Sequence, residues 1–358
     1  MAIIIFIICL SALILIHEFG HFLVAKWNGV KVEEFGIGYP PRIFGVKKGE
    51  TIYSVNWLPF GGFVKILGED GGAKDNPRSF SHRRPGIKIL ILIAGIFMNL
   101  VFGSLLLGAG YWKGMPVVVD ENNIGQIKDL NLSILNVSVK SPASEAGIKA
   151  GDLVISMKAK GQEVSRVASE GFQTFVQNHL SQEIILTIQR NDQILEKSII
   201  ARINPPKGEG ALGVMIGETG TLKYPFWKSF IFGLRDGARL FVNIFIALFY
   251  FFKGLFVGTQ SVNDMVGVVG ITALGSQTVK LGLGYMLQFL AGLSINLAAL
   301  NLIPFPALDG SRILFIIIEK IKGNPISQKV ENLVHSSGFA LLIALTIFIT
   351  AKDIIRLF

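Results

Sequence analysis

The chain has 358 residues, 51% of them hydrophobic and only 16% charged, with 27 Phe and a mean hydropathy of +0.53. Soluble proteins carry about 25% charged residues, so a wholly soluble chain and a disordered one are both excluded, and the sequence reads as a membrane protein. Lys+Arg outnumber Asp+Glu by 34 to 25, giving +9; this excess fits loops facing the cytoplasm and anionic lipid, and no basic stretch interleaved with aromatic residues points to nucleic acid.

Residues 2–25 are nearly all apolar and predict a first span. Twenty-four helical residues reach about 36 Å, enough to cross a bilayer. No basic stretch precedes the run and no small-residue cleavage site follows it, which argues against a signal peptide. Residues 26–86 are rich in Gly and Pro and carry ten Lys/Arg against six Asp/Glu. Within them, 53–57 and 63–67 alternate like short strands around Gly61 and Gly62, predicting a small sheet or hairpin at the membrane surface. A second span is predicted over 87–110, with Asn99 as its strongly polar interior residue.

Residues 115–220 have ordinary composition and predict a soluble domain of about 100 residues. Residues 226–258 are aromatic and apolar but interrupted by Lys228, Arg235, Asp236, Arg239 and Lys253. They predict a helix lying in the membrane interface, or a re-entrant hairpin, rather than a span. A third span covers 284–303 and ends at Pro304 and Pro306, because Pro cannot continue a helix. A basic-leaning segment, 312–329, precedes a last span over 333–351. The expected organisation is therefore 1–112, 115–220, 221–283 and 284–358, a multi-pass α-helical membrane protein of about four spans. The Lys/Arg-rich 26–86 stretch places the N-terminus and the soluble domain outside and that stretch inside.

His17-Glu18-Phe19-Gly20-His21 is an HExxH motif. On a helix, i and i+4 share a face, so both imidazoles can hold one metal ion, with Glu18 beside them to take a proton from water. With Cys9 as the single cysteine, no Cys cage and no intramolecular disulfide can form. The polar cluster lies in an apolar span, where His and Glu are costly; a metal site and a polar packing cluster are the two readings. Catalytic zinc needs a third protein ligand. His82 and His335 are read as loop residues and His179 as part of the soluble domain. Asp309, in Asn301-Leu302-Ile303-Pro304-Phe305-Pro306-Ala307-Leu308-Asp309-Gly310, follows a broken helix and is the better placed. The alternative for Asp309 is capping of a helix over 310–321.

HEFGH in the first span and NLIPFPALDG after a later one resemble the site-2 protease family of intramembrane zinc metalloproteases, above all its bacterial RseP-like branch, which cleaves anti-sigma factors. Residues 60–65 (FGGFVK) and Ala94-Gly95 followed by Asn99 resemble that branch too. The resemblance implies Zn²⁺ held by His17, His21 and Asp309, with Glu18 as general base. It implies substrate contacts from Asn301 and Asn99; an interhelical hydrogen bond is the other reading of Asn99. It also implies a membrane-associated β-loop, in which Phe35 and Gly36 would offer an exposed edge to an unwound substrate strand; a Gly-rich turn is the alternative there. Residues 141–155 (SPASEAGIKAGDLVI) resemble bacterial PDZ domains. Ser141 suits an N-cap, Pro142 the first helical position and Gly147 a helix end. Some family members carry two such domains, and about 100 residues leave room for one.

The function so implied is a zinc endopeptidase of the bacterial inner (cytoplasmic) membrane, with its active site towards the cytoplasm and an extracytoplasmic PDZ domain. Its substrates would be single-span membrane proteins, anti-sigma factors or signal-peptide-like segments, shortened beforehand by an upstream site-1 type protease. Two rivals are an inactive PDZ-bearing scaffold, against which the intact HEFGH and LDG argue, and a transporter, for which inverted repeats are expected and none is seen.

Overall fold

The computed structural model describes residues 2–119, 127–138, 140–165, 168–190, 193–206, 208–258, 267–324 and 326–357. In chain order the elements begin with helix α1 (Ala2–Trp27), strands β1 (Val32–Lys48) and β2 (Thr51–Ile66), and helix α2 (Pro85–Lys113). Then come β3 (Met115–Val118), β4 (Ile127–Val137), α3 (Pro142–Glu145), β5 (Leu153–Ala159), β6 (Gln162–Ser165), α4 (Ser169–Asn178), β7 (Glu183–Arg190), β8 (Gln193–Ile200) and β9 (Val214–Leu222). The chain closes with α5 (Phe226–Val257), α6 (Val268–Leu281), α7 (Leu283–Leu302), α8 (Asp309–Lys322) and α9 (Gln328–Leu357). These elements form two compact units, Met1–Gly110 with Phe226–Phe358, and Tyr111–Pro225.

In the first unit, α1, α2, α5, α7 and α9 are each long and apolar enough to cross a membrane, by length and composition. That is five candidates where the sequence reading counted four spans. Contacts fix helix directions. Phe6 lies beside Phe289, ring centroids 5.8 Å apart, and His17 meets Asp309, so α1 and α7 run parallel. At the Phe6 end of α1, Phe102 and Leu106 of α2 join the same apolar cluster; at its other end His21 meets Ile91. Hence α2 is antiparallel to α1. Gly338 of α9 abuts Pro306, and Asp353, near the other end of α9, accepts from Gly267 N and Gly270 N at 3.0 and 2.9 Å. That carboxylate satisfies free N–H groups at the start of α6.

Residues 226–257 form one uninterrupted helix, which excludes a re-entrant hairpin. The first part of α5 packs closely on α2. A Cβ on Gly233 would strike Ser104 O and Gly108 N, both 2.6 Å away, and one on Gly237 would strike Ser104 Oγ at 2.1 Å. The small residues let the first half of α5 run lengthwise down α2. Hydropathy does not separate the cases, since α5 is as apolar as α7.

The alternating segments of the 26–86 stretch do form strands. The first part of β1 pairs on both sides: Phe35 faces Val64 and Tyr53, and Gly36 faces Phe63 and Ser54. The second part of β1, from Arg42 to Lys48, pairs with β2 from Asn56 back to Thr51. Phe35 and Gly36 therefore sit on an inner strand and offer no free edge, a correction of the expected substrate edge. The edge next to α1 belongs to residues 62–66. Nor is the sheet confined to the membrane surface at the end of α1. Ser11 Oγ donates to Pro59 O at 3.1 Å, and Gly61 and Gly62 pack on Ile14 and Leu15, so the strand climbs past His17 along α1. Its exposed side chains include Ile43, Phe44, Val55 and Trp57, an apolar surface that suits lipid rather than water.

In the second unit, six strands pair in the order β3-β9-β4-β5-β7-β8, with β6 added to β5. Every pairing in this sheet is antiparallel. Its core is apolar, built around Ile134, Met157, Phe172, Ile184, Leu186 and Ile188. Ser141 caps α3 by accepting from Ser144 N at 3.2 Å, Pro142 takes the first helical position, and Gly147 and Gly151 adopt φ of +74° and +93°. The 141–155 stretch thus folds as its residues predict, with glycines where left-handed backbone needs them. Asp152, 1% exposed, receives Arg190 Nε and Nη2 at 2.7 Å each.

Candidate metal centre

The site is assembled by α1, α2 and the break between α7 and α8. His17 and His21 project from consecutive turns of α1, and both are buried. Pro304 and Pro306 end α7 and turn the chain back, so that α8 opens on Asp309 against the same histidines. The Nε2 atoms of His17 and His21 lie 3.1 Å apart, and they lie 3.0 and 3.2 Å from Asp309 Oδ2. Among the described residues this is the one group of three His, Cys, Asp or Glu whose ligand atoms converge, all within 4.8 Å. The residue preceding α8, Leu308, makes no side-chain cap bond. The Asp309 carboxylate is spent on the two imidazoles rather than on capping.

The donor set fits zinc. His21 Nδ1 lies 2.8 Å from Ile91 O, and a carbonyl only accepts, so in the neutral ring Nδ1 carries the proton and Nε2 keeps its lone pair. That lone pair faces a carboxylate oxygen at 3.2 Å, an arrangement that calls for a cation between them. Tetrahedral zinc with bonds of about 2.0–2.1 Å holds its donor atoms about 3.3 Å apart, close to the observed triangle. Two imidazoles and one carboxylate leave a fourth position for water, as in catalytic rather than structural zinc sites.

Helix α2 is pressed against this cluster. A Cβ on Gly20 would stand 2.4 Å from Ala94 O, and one on Gly95 would stand 2.4 Å from His21 Nε2. Both glycines are required by close backbone approach, a role that the HEFGH and Ala94-Gly95 patterns signalled only by resemblance. Glu18 sits between the histidines in sequence, and its Oε2 accepts from Val64 N at 3.1 Å. An amide on the free edge of the sheet thereby holds the carboxylate, a contact that nothing local in the sequence marks.

Asn99 is fully buried, and neither its Oδ1 nor its Nδ2 has a hydrogen-bond partner among the described residues. The interhelical bond at this point is made by its backbone, Ser294 Oγ donating to Asn99 O at 2.8 Å. Asn301 falls in the last turn of α7, eight residues before Asp309. Of the other histidines, His82 approaches Lys74 O at 3.0 Å in a loop and His179 approaches Phe175 O at 2.8 Å in the second unit. His335 is not a loop residue: α9 begins at Gln328 and carries it in its second turn. None of the three joins the cluster.

The profile of Peptidase family M50 matches residues 5–345. A Clostridium perfringens protein provisionally named a zinc metalloprotease is 36% identical over 357 residues, covering 99% of both chains. "Zinc metalloprotease RasP" of Oceanobacillus iheyensis is 28% identical, covering 99% of this chain and 98% of its own. The Bacillus subtilis "Regulator of sigma-W protease RasP" matches at 28% with the same coverage. A profile matched from near the first residue to near the last makes the chain a member of peptidase family M50, the site-2 protease family of zinc metalloproteases.

Proposed function

We propose that this zinc metalloprotease is an intramembrane endopeptidase of the bacterial cytoplasmic membrane, and that it cleaves single-span membrane proteins within their apolar segment. The observation that carries the proposal is the convergence of His17 and His21, from a helix apolar enough to cross a bilayer, with Asp309, just past the end of another, 3.0–3.2 Å apart. His17, His21 and Asp309 would hold the ion, which supplies a Lewis acid for a carbonyl oxygen and lowers the pKa of water to about 7. Glu18 takes the proton from the attacking water and delivers it to the leaving amine. Its Oε2 is fixed by Val64 N, which leaves Oε1 for that proton.

A helical peptide bond is shielded by its own hydrogen bonds, so the substrate must unwind before attack. The edge at residues 62–66 has no further strand beyond it among the described residues and lies beside Glu18, which supports pairing with an unwound strand. Phe35 and Gly36 then act from one strand behind, as the template of that edge. The buried, unpaired amide of Asn99 and the position of Asn301 before the helix break support contacts to the substrate backbone. The second unit, read as a PDZ domain outside the membrane, filters which substrates enter. A relative named for sigma-W regulation supports anti-sigma factors as one substrate class, trimmed first by a site-1 type protease.

The test is reconstitution in liposomes with a single-span segment carrying short flanks, followed by mass spectrometry of the products. Cleavage inside the apolar segment, absent in Glu18→Gln, is expected. Cleavage confined to the soluble flanks would sink the intramembrane reading.

A further inference from the structure

Helix α9 has no residue in the metal cluster, yet it meets the turn that delivers Asp309. Ala307, two residues before that carboxylate, has φ of +78°, the left-handed region that residues with side chains rarely adopt. Something must hold it there. The Ala307 backbone amide donates to His335 Nδ1 at 3.2 Å. The neighbouring peptide is gripped as well: a Cβ on Gly338, one turn further along α9, would fall 2.1 Å from Pro306 Cβ and 2.8 Å from Pro306 O. Phe315 of α8 packs against His335, ring centroids 5.7 Å apart. Because an N–H donates to Nδ1, that nitrogen bears the lone pair and the imidazole is neutral with its proton on Nε2.

We infer that His335 is a positioning residue for the metal centre: its Nδ1 accepts the Ala307 amide, locks the left-handed turn into the Gly338 notch, and so sets where Asp309 meets His17 and His21. The inference rests on the reading of Asp309 as a zinc ligand. It assigns no proton transfer and no substrate contact to His335. Groups that orient ligands are worth about 10–100-fold in metal affinity, and the same range is expected here.

Four full-length variants test it in detergent and in liposomes. His335→Phe keeps the ring shape and removes the acceptor. His335→Asn restores an acceptor at the position of Nδ1, and His335→Gln offers one only at the position of Nε2. Asp309→Ala tests the underlying reading. The readouts are zinc affinity against a chelator series, the visible spectrum of the Co²⁺-loaded protein, and kcat separately from KM. His335→Phe and His335→Gln should weaken zinc binding by about tenfold or more, alter the Co²⁺ bands and lower kcat at unchanged KM, while His335→Asn recovers most of each. Should the Phe variant fail to insert, the order Asn above Gln still decides. Wild-type zinc affinity and spectrum in His335→Phe, or Asn no better than Gln, would overturn the inference. If Asp309→Ala loses zinc while every His335 variant keeps it, positioning alone is wrong. If Asp309→Ala keeps zinc, the ligand reading has failed first.

Discussion

Gly95→Ala should disable the metal centre without touching a ligand. The added Cβ would lie 2.4 Å from His21 Nε2, 2.6 Å from its Cε1 and 2.9 Å from His17 O, where ordinary contact begins at 3.4 Å. Relief requires His21 or the α1 backbone to retreat by about 1 Å, and metal–ligand distances tolerate only about 0.2 Å. The helices cannot part cheaply, because the neighbouring crossing is as tight: Ala94 O already fills the place a Gly20 side chain would take. Overpacking of this kind costs about 1–3 kcal/mol, and a misplacement of 1 Å at a reacting centre costs about 100-fold in rate. We expect Gly95→Ala to insert normally, to lose zinc about ten- to a hundredfold more readily to a chelator, and to cleave at about a hundredth of the wild-type rate. Gly292→Ala, whose Cβ would meet nothing within 4 Å, is the control and should behave as wild type. A Gly95→Ala protein with wild-type zinc retention and activity would refute the packing argument.

Three further outcomes follow from the structure. Replacing residues 115–220 with a short linker should leave cleavage of a test transmembrane segment intact or less selective, and loss of all activity in a variant that still inserts and binds zinc would count against a filtering role. Arg190→Ala leaves Asp152, 1% exposed, as an unpaired buried charge, so thermal melting of the second unit should show about 3–5 kcal/mol of destabilisation. For topology, α1 and α7 run parallel and α2 antiparallel, so the end of α2 and the start of α7 share one face of the membrane. Whatever lies between must cross twice or not at all. We expect no crossing, with α5 dipping along α2 and the chain returning to the face it started from. Single cysteines near positions 220 and 282, in a Cys9→Ser background, should both react with an impermeant reagent from the outside; labelling from opposite sides would refute this.

The elements that depend on local pattern were legible in the sequence. Apolar runs placed α1, α2, α7 and α9 within a few residues, the i, i+4 spacing placed His17 and His21 on one face, and Pro304 with Pro306 located the break before Asp309. Residues 141–155 carried their own caps and turns. What failed was long-range. Alternation at 53–57 and 63–67 revealed strands, but nothing local says that 32–39 pairs with both of them, so Phe35 and Gly36 were mistaken for an edge. The height of the sheet along α1 was hidden for the same reason, since contacts such as Ser11 to Pro59 join residues far apart in sequence. In α5 the charges at Lys228, Arg235, Asp236 and Arg239 suggest a helix in the membrane interface, and only long-range contacts show that Gly233 and Gly237 seat it against α2. His335 falls inside the apolar run expected from 333, so its assignment to a loop does not follow from the pattern; α9 begins still earlier, at Gln328.

The central claim is a zinc ion held by His17, His21 and Asp309 with Glu18 as base, and zinc content measured beside cleavage tests it most directly. Wild-type protein and Glu18→Gln should hold equal zinc while only the wild type cleaves. His17→Ala, His21→Ala and Asp309→Ala should each lose the metal and the activity together. Full zinc in Asp309→Ala, or cleavage by Glu18→Gln at the wild-type rate, would contradict the account.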